Sequence, residues 1–300
     1  MRDSETPWVI VLAAGDGRRI SAFTRSEPGV SVPKQYCSFG RDRSMLQSTL
    51  DRAMRLAPRE RIVTIVAADH RVWWQPELGS LLPGNVVVQP RNRGTAAGVL
   101  LPLVHILKRD PRATVVVLPS DHHVEDEDAL QRALEEALRA VAAEPSHLVL
   151  LGIEPEEADA DYGWILPAGS RNEPTRAVKR FIEKPTEAVA AELLEQGAVL
   201  NSFLFAASAR TLLLSIGEAL PALLESFLRD LVVLPREGLE ELYMKLPVRD
   251  FSRDVLERVT HRLRLLPVPP CGWTDLGTPS RLRRFLEATR VSSPVGTESA

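Results

Sequence analysis

Short apolar runs alternate with segments of helical periodicity along the first half of the chain. Five runs rich in aliphatic and β-branched residues predict strands at 8–13, 61–67, 85–89, 114–118 and 147–152. They contain few polar residues, which is typical of strands that are covered on both faces. The pattern therefore predicts a buried, mostly parallel sheet.

Amphipathic segments separate these strands. Ser44 and Gln47 have the spacing of a capping box at the start of one helix. Residues 125–143 open with four acidic residues, which suit the N-terminus of a helix, and continue with leucines at intervals of four. Strands and helices that alternate in this way predict a doubly wound α/β fold.

The alternation is less regular after residue 152. We expect strands at 162–167, 176–183, 199–206 and 262–268, and helices at 186–195, at 208–230 with an interruption at Pro221, and at the C-terminus. No low-complexity linker divides the chain, so we predict a single domain over residues 1–290. It consists of two parts, about 8–152 and 153–286, and a flexible tail follows at 291–300.

Composition and charge narrow the class of protein. The 300 residues are 44% hydrophobic and 26% charged, which indicates a globular protein, and the net charge of −3 gives no general attraction to nucleic acid. Cys37 and Cys271 lack the spacing of a zinc site and fit a reducing compartment. There is no basic signal segment and no apolar run long enough for a membrane span. We therefore expect a cytoplasmic protein that binds neither nucleic acid nor membrane.

The first predicted strand runs directly into a loop of glycines and arginines, in the sequence VIVLAAGDGRRI at 9–20. Gly15 and Gly17 allow backbone N–H groups to approach an anion, and Arg18 and Arg19 add charge that does not titrate. Ile20 stands where a dinucleotide fingerprint needs its third glycine, and no Walker motif follows. The loop is either a phosphate-binding loop of a third kind or a tight turn with solvated arginines.

One acidic residue directly follows a predicted strand, and an acidic pair lies just before the strand predicted at 162–167. Asp121 lies just after the strand at 114–118, where open α/β sheets bind ligands. His122 and His123 come next and would point to opposite faces of an extended segment, which disfavours a shared zinc ion. Asp159 and Asp161 have the Asp-x-Asp spacing that can hold a metal ion on the diphosphate of a sugar donor, so a glycosyltransferase is one alternative.

A series of motifs in a fixed order resembles the sugar nucleotidyltransferases, also called nucleotide-sugar pyrophosphorylases. LAAGDGRR and PKQY are similar to the opening signature of that family. RGTAAG (93–98), LPSDHH (118–123), DYGWI (161–165), FIEKP (181–185), NSFLF (201–205) and GWTDLG (272–277) follow in the family's order. Together they cover residues 8 to about 286, and the glutamine of PKQY resembles the mannose-1-phosphate guanylyltransferase branch.

The resemblance implies a Rossmann-like nucleotide-diphospho-sugar transferase fold, with a nucleotide-binding half at about 8–152 and a sugar-phosphate-binding half at about 153–286. In the implied reaction a sugar-1-phosphate attacks the α-phosphorus of a nucleoside triphosphate and expels pyrophosphate. Arg19 would hold the pyrophosphate, Lys34 would stabilise charge near the α-phosphate, and Asp121 and Asp275 would bind Mg²⁺.

The same resemblance implies two sets of binding residues. The implied nucleotide contacts are Leu12, Ala13, Gly15, Asp16, Gly17, Arg18, Gln89, Gly94 and Thr95. The implied sugar-phosphate contacts are Gly163, Glu183, Lys184 and Asn201. The expected substrates are GTP and mannose-1-phosphate, while another base, another hexose and a homo-oligomer stay open.

Two residues depart from the family pattern. Arg18 stands where the family usually has threonine, and Phe203 stands where the NSG pattern has glycine, so that a bulky ring would lie near the sugar. These changes leave a catalytically silent regulatory or binding subunit as a further alternative. The retained charged residues argue against it, because a silent relative has no chemical need of them.

Overall fold

The structure is a computed structural model that describes residues 6–27, 30–79, 81–170, 173–233 and 236–292. Its strands are β1 (Trp8–Ala13), β2 (Arg25–Glu27), β3 (Val30–Ser31), β4 (Ile62–Ala67), β5 (Val86–Gln89), β6 (Thr114–Pro119), β7 (Leu148–Ile153), β8 (Gly163–Pro167), β9 (Arg176–Glu183), β10 (Val199–Ser208) and β11 (Leu263–Pro267). Its helices are α1 (Met45–Leu56), α2 (Arg71–Glu77), α3 (Thr95–Arg109), α4 (Glu127–Ala143), α5 (Glu187–Glu195), α6 (Ala209–Ala219), α7 (Pro221–Val233), α8 (Arg236–Lys245) and α9 (Pro279–Ser292).

Within these ranges, nine strands form one sheet in the order β5-β4-β1-β6-β10-β7-β11-β9-β8, and β2 and β3 form a separate pair. β8 also pairs with β10. The strands β10, β7, β11, β9 and β8 therefore close into a five-stranded ring, whereas the β5-to-β6 side of the sheet stays open.

The prediction of a mostly parallel sheet is correct for β5, β4, β1 and β6 and wrong for the ring. There β10 is antiparallel to β6, β7 and β8, and β9 is antiparallel to β8 and β11, while β7 and β11 are parallel. β8 and β9 follow each other without a helix between them, and such a direct connection joins antiparallel neighbours. Apolar runs report the burial of a strand but not its direction.

The strand positions themselves follow from burial on both faces. Ile10 packs into the core layer that includes Leu100 of α3, whereas Val9 and Val11 pack into the layer that includes Leu46 of α1. All of these side chains are fully buried. Successive residues of a strand point to opposite faces, so two covered faces leave few positions for polar residues.

Helix ends that are marked by capping residues or proline lie at or near their predicted positions. Ser44 and Gln47 form the predicted capping box, with two hydrogen bonds of 3.1 Å. Pro221 opens α7 directly after α6, as predicted. α4 begins at Glu127, capped by Asp126, two positions later than expected. α9 includes residues 291 and 292 of the predicted tail, and 293–300 lie outside the described residues.

The carboxyl ends of β1 and β6 lie side by side, because these strands are parallel neighbours. The backbone N–H of Ser120 donates to the carbonyl oxygen of Leu12 at 3.0 Å, and its hydroxyl donates to the same oxygen at 2.7 Å. The glycine loop after β1 and Asp121 after β6 therefore meet at one edge of the sheet. In the described part of the chain, no helix has the length and apolar character needed to cross a membrane.

Candidate active site

A cleft of about 250 Å³ opens at this edge and extends between the two halves of the chain. It brings together predicted site residues that are far apart in sequence. Those that line it are Leu12, Gly15, Arg19, Thr95, Asp121, Gly163, Glu183, Lys184, Asn201 and Asp275. Phe203 also lines it, as its predicted place near the sugar contacts requires. Eight further residues line it that the sequence did not assign to the site: Gln35, Pro119, Ser120, His122, Asp161, Tyr162, Ser252 and Trp273.

Lys34 lies behind the wall of the cleft rather than in it. Its side chain is 4% exposed, and its Nζ atom lies 3.0 Å from Oδ2 of Asp121 and also contacts the carbonyl oxygen of Asp275. Pro33 is extended and precedes the short 3₁₀ turn that begins at Lys34, which directs the lysine inward. One ammonium group therefore joins the two segments that carry the predicted metal ligands.

The electrostatics of Asp121 follow from this contact. Burial raises the pKa of the carboxyl group, but Lys34 and then His122 oppose that effect and hold the pKa below its usual range. The pKa of His122 is itself lowered, chiefly by burial. Asp121 is therefore a carboxylate next to a neutral imidazole at neutral pH.

A short backbone bridge fixes the relation of Asp121 to Asp275. His123 and Thr274 exchange two backbone hydrogen bonds, of 2.8 and 3.0 Å. The side chains of His122 and His123 make separate contacts, with Trp273 and Phe285 respectively. They do not form a pair directed at one ion, as expected for neighbours on an extended segment.

Asp275 is held mainly through one carboxylate oxygen. Its Oδ1 atom accepts hydrogen bonds from the Tyr162 hydroxyl at 3.2 Å and the Gly277 N–H at 2.9 Å, and it lies 2.8 Å from Nη1 of Arg281. A Cβ at position 277 would lie 2.4 Å from Oδ2 of Asp275 and 3.1 Å from Nη2 of Arg19. Glycine at 277 therefore leaves room for both charged groups.

The donor chemistry of this edge fits a magnesium ion. Asp121 and Asp275 offer hard oxygen donors on adjoining segments of one cleft. Among the described residues, no group of three or more His, Cys, Asp or Glu side chains forms a metal cage. Mg²⁺ is commonly bound through one or two carboxylates together with substrate phosphates and water, so a pair of carboxylates is sufficient.

The glycine loop is held in shape by the PKQY segment. The Gln35 amide donates to the carbonyl oxygens of Ala13 and Gly15, at 3.0 and 2.9 Å, and the Tyr36 hydroxyl donates to Ala13 at 3.1 Å. Gly17 has a φ of 62°, and a Cβ there would lie 3.1 Å from the backbone nitrogen of Lys34. A Cβ at Gly15 would meet nothing within 4 Å, so the space beside this part of the loop is open.

The other predicted nucleotide contacts do not all reach the cleft. Ala13, Asp16, Gly17, Gln89 and Gly94 are not among its described lining residues. Arg18 begins a 3₁₀ turn, and its side chain lies outside the described part of the structure.

Two of these residues have structural roles of their own, and a third is buried without such a role. Asp16 accepts a hydrogen bond of 3.1 Å from Asn92. Gly94 has a φ of 82°, and a Cβ there would lie 2.2 Å from the carbonyl oxygen of Arg249. Gln89 is 2% exposed, and its Oε1 atom has no hydrogen-bond partner among the described residues.

Thr95 is the first residue of α3, and Gly94 is its N-cap. The hydroxyl oxygen of Thr95 accepts a hydrogen bond of 2.7 Å from the Phe251 N–H and so holds the segment before the π-helical turn at Ser252–Leu256. That segment contributes Ser252 to the cleft, and Ser252 lies 3.5 Å from the amide nitrogen of Asn201.

Glu183 and Lys184 form the far end of the cleft. The Glu183 carboxyl group is 11% exposed and lies 3.6 Å from Nζ of Lys184. Burial, reinforced by the charge of Asp250, raises the pKa of Glu183 to about 7. A Cβ at Gly163 would lie 2.5 Å from Oε2 of Glu183, so glycine at this position provides space for the carboxyl group. Lys184 has a φ of 51°, and its N–H donates to Tyr162.

Phe203 retains the backbone conformation for which glycine is suited. Its φ is 60°, β10 is irregular between Asn201 and Phe205, and Oδ1 of Asn201 accepts the Phe203 N–H at 3.1 Å. A left-handed conformation is costly for a residue with a bulky side chain. The ring packs against Phe205 and Phe251, at 6.2 and 5.8 Å between ring centres, and lines the cleft together with Glu183 and Asn201.

The sequence did not reveal the role of Arg281. This side chain is 6% exposed and contacts Asp275, and its guanidinium group also faces Asp159 and Asp161 at 4.0 and 3.7 Å. The Asp-x-Asp pair is thus engaged by an arginine of the same chain. Arg19, by contrast, is about half exposed, and its Nη1 atom lies 3.6 Å from Oδ1 of Asp161.

Comparison with known proteins gives a consistent set of relatives. Residues 8–290 match the family model described as nucleotidyl transferase. The alginate biosynthesis protein AlgA of Pseudomonas syringae pv. tomato is 30% identical over 288 residues, which cover 91% of this chain and 57% of AlgA. The mannose-1-phosphate guanylyltransferase of Escherichia coli is 29% identical over 287 residues, which cover 91% of this chain and 58% of that protein. The chain thus spans little more than half the length of these relatives.

A solved structure of a related protein has a similar fold. The crystal structure described as "mannose-1-phosphate geranyltransferase" from Thermus thermophilus superposes with a TM-score of 0.78 at 30% identity. The superposition covers 91% of this chain and 76% of the Thermus chain.

Proposed function

This chain belongs to the nucleotidyl transferase family, and we propose that it joins a nucleoside triphosphate to a sugar-1-phosphate, releasing pyrophosphate and a nucleoside-diphosphate sugar. The observation that carries the proposal is the single cleft that contains Arg19, Asp121 and Asp275 at one end and Glu183 and Lys184 at the other. Such a cleft can hold two phosphate-bearing substrates in line, although their negative charges repel each other.

The bonds that form and break in the proposed reaction determine which groups the protein must supply. An oxygen of the sugar phosphate forms a bond to the α-phosphorus, and the bond from that phosphorus to the oxygen bridging to the β-phosphorus breaks. The electron pair leaves with pyrophosphate. The attacking phosphate is already an anion near neutral pH, so the chain need not supply a general base. Positioning and neutralisation of charge are the main contributions required.

The triphosphate end relies on the loop after β1. Gly15 leaves open space beside the backbone, and Gln35 fixes the loop. Arg19 is exposed enough to leave Asp161 and bind the pyrophosphate portion, since an exposed ion pair costs little to break. Lys34 contributes from behind, because its charge acts through Asp121 and the backbone of Asp275.

Asp121 and Asp275 would hold Mg²⁺ in this scheme. When bound, the ion supplies positive charge that neutralises phosphate oxygens. Groups of the same chain hold both carboxylates in place. Lys34 contacts Asp121, and Arg281 and Tyr162 contact Asp275.

The sugar end relies on Glu183, Lys184 and Asn201. Ionised Glu183 would accept hydrogen bonds from sugar hydroxyls, Lys184 would pair with the sugar's phosphate, and Asn201 would fix a further hydroxyl. Gly163 keeps the space at this end, and the ring of Phe203 supplies an apolar wall. Apolar faces of this kind commonly fix the orientation of a bound ligand beside a few polar groups.

For the specific substrates we propose GTP and mannose-1-phosphate. The support comes from the Escherichia coli relative, which is named a mannose-1-phosphate guanylyltransferase. We also propose that the protein is located in the cytoplasm.

The test is pyrophosphate release from the purified chain with Mg²⁺, over a grid of four nucleoside triphosphates and several sugar-1-phosphates. We expect the highest rate for GTP with mannose-1-phosphate. Another pair at the top of the grid would correct the substrates and retain the reaction. Binding of GTP without pyrophosphate release from any pair would indicate a silent relative. Transfer of sugar from a nucleotide donor to an acceptor, without pyrophosphate, would indicate a glycosyltransferase.

A further inference from the structure

A buried arginine from the last helix stands behind the cleft. Nη1 of Arg281 lies 2.8 Å from Oδ1 of Asp275, and its guanidinium carbon lies 4.0 Å from the centre of the Tyr162 ring. Nη2 lies 3.7 Å from Oδ2 of Asp161, and Nε lies 4.0 Å from Oδ2 of Asp159. The guanidinium group is thus enclosed by three carboxylates and one aromatic face.

This arrangement is more than packing requires. Removing a guanidinium group from water is costly, and an apolar side chain of similar volume often packs equally well in place of a buried ion pair. Arg281 offsets the cost through its contacts with the carboxylates and through its position over the π face of Tyr162. Its charge and shape therefore point to a task at one of the groups it touches, and Asp275 is the nearest carboxylate.

We propose that Arg281 is a positioning residue for Asp275, and that it fixes this carboxylate in the direction needed to hold a divalent cation on the substrate phosphates. The inference rests on the proposed function. Three groups converge on Oδ1 of Asp275: the Tyr162 hydroxyl and the Gly277 N–H donate hydrogen bonds to it, and the guanidinium group of Arg281 forms an ion pair with it. Groups that orient a metal ligand in this way typically change metal affinity or activity by about 10–100-fold when they are removed.

Tyr162 and Arg281 act as one unit in this scheme. The Tyr162 hydroxyl donates to Asp275, and the ring of the same tyrosine carries the guanidinium group. Lysine at position 281 would retain the charge, but it lacks the planar fork that reaches several carboxylates while it lies flat on a ring. A lysine variant therefore separates orientation from charge.

The experiment compares Arg281→Met and Arg281→Lys with wild type. Arg284→Met is the matched control, since Arg284 is on the same helix, is more than half exposed and pairs with Glu157. The first measurement is the Mg²⁺ concentration that gives half-maximal pyrophosphate release at saturating substrates. The second needs no turnover: it is the additional rise in melting temperature that Mg²⁺ gives to the complex with α,β-methylene-GTP.

For both Arg281 variants we expect the half-maximal Mg²⁺ concentration to rise by about 10–100-fold. The Mg²⁺-dependent rise in melting temperature should largely disappear, whereas the rise caused by the analogue alone should remain. Arg284→Met should match wild type in both measurements. If Arg281→Met fails to fold, Arg281→Lys carries the test, because it keeps the stem and the charge.

A double variant shows whether Arg281 acts through Asp275. In the Asp275→Asn background, Arg281→Lys should change the residual rate by less than about twofold, because the group it orients is already altered. An unchanged Mg²⁺ dependence in both single variants, or an equally large effect in the Asp275→Asn background, would overturn the inference and leave the proposed function intact. An inactive wild type, with every pair of substrates, would overturn both.

Discussion

Nζ of Lys34 lies 3.0 Å from Oδ2 of Asp121 and also contacts the carbonyl oxygen of Asp275, although the three residues come from distant parts of the chain. The lysine is almost fully buried, while the Asp121 side chain is 41% exposed. A single cation thus connects the interior of the protein with the acidic edge of its cleft. Stability and activity should therefore both respond to changes at these residues.

Lys34→Met should lower the free energy of unfolding by about 1–2 kcal/mol at pH 7, less than for a fully buried pair because Asp121 is partly exposed to solvent. Lys34 depresses the pKa of Asp121, so its contribution is present above the unfolded pKa of about 3.9 and is lost as the pH falls through the lower folded value. Urea unfolding at several pH values measures this. A difference from wild type that widens below pH 4 would contradict it.

Asp121→Asn should lower the rate of pyrophosphate release by at least about tenfold, because the amide cannot neutralise or hold a cation as a carboxylate does. Asp128→Asn is a suitable control, since Asp128 lies on the surface of α4 and its side chain is 71% exposed. Steady-state rates at saturating Mg²⁺ compare the two. Near-normal turnover in Asp121→Asn would remove this residue from the mechanism.

Glu183 should make stability depend on pH in the opposite sense to Asp121. Its pKa of about 7 in the folded chain lies above the unfolded value of about 4.3, so folding favours the neutral form. This contribution is fully present below pH 4.3 and is lost as the pH rises through 7. Wild type should lose up to about 3 kcal/mol relative to Glu183→Gln between pH 4 and 8, as measured by urea unfolding. Parallel pH profiles for the two proteins would show that the raised pKa is wrong.

Substrate binding should show the same titration. If ionised Glu183 accepts hydrogen bonds from the sugar, the KM for the sugar-1-phosphate should fall as the pH rises through about 7. The variant Glu183→Gln should have a flat profile over this range once the ionisation of the substrate phosphate is allowed for. A wild-type profile as flat as that of the variant would contradict the role of Glu183 at the sugar.

Positions 15 and 17 should respond differently to alanine. Gly17→Ala should cost about 1–2 kcal/mol of stability, because its φ is 62° and Lys34 is close. Gly15→Ala should cost less than about 0.5 kcal/mol, since nothing lies within 4 Å of the added Cβ. It should nevertheless raise the KM for the triphosphate at least about tenfold by crowding the anion. Thermal unfolding and initial rates test both, and an unchanged KM in Gly15→Ala would place the triphosphate elsewhere.

Phe203 offers a matched pair of variants that both remove the ring. Phe203→Ala should be less stable than Phe203→Gly by about 1 kcal/mol, because alanine keeps the strain of the positive φ and glycine relieves it. At an ordinary strand position the order would be the reverse. Denaturant unfolding of both variants decides, and a more stable alanine variant would mean that the backbone relaxes when the ring is lost.

Local sequence signals predicted most of this architecture. The continuous apolar runs located β1, β4, β6 and β7 because both faces of these strands are covered. They also located β5, an edge strand whose three valines are only partly buried. The direction of the strands in the ring was not predictable, because it depends on how β10 inserts between β6 and β7. Helices α2 and α8 and the π-helical turn were missed as well.

The site was predictable to the extent that its residues belong to motifs. The family resemblance implied that Lys34 acts near the phosphates. It could not show that Lys34 lies behind Asp121, since that depends on the fold of the Pro33 turn. Arg281 shares its segment with Arg283 and Arg284, which are exposed. No periodic pattern separates a buried arginine from its neighbours when the acidic partners lie in loops far away in sequence.

The five-stranded ring has a consequence for how copies of this protein meet. Within the described sheet, the ring leaves no unpaired strand on the side that carries Glu183 and Asn201, and the free edge is β5 at the opposite end. Exposed edges recruit strands from other molecules and so promote aggregation. β5 has only four residues, so it offers little backbone for such intermolecular pairing.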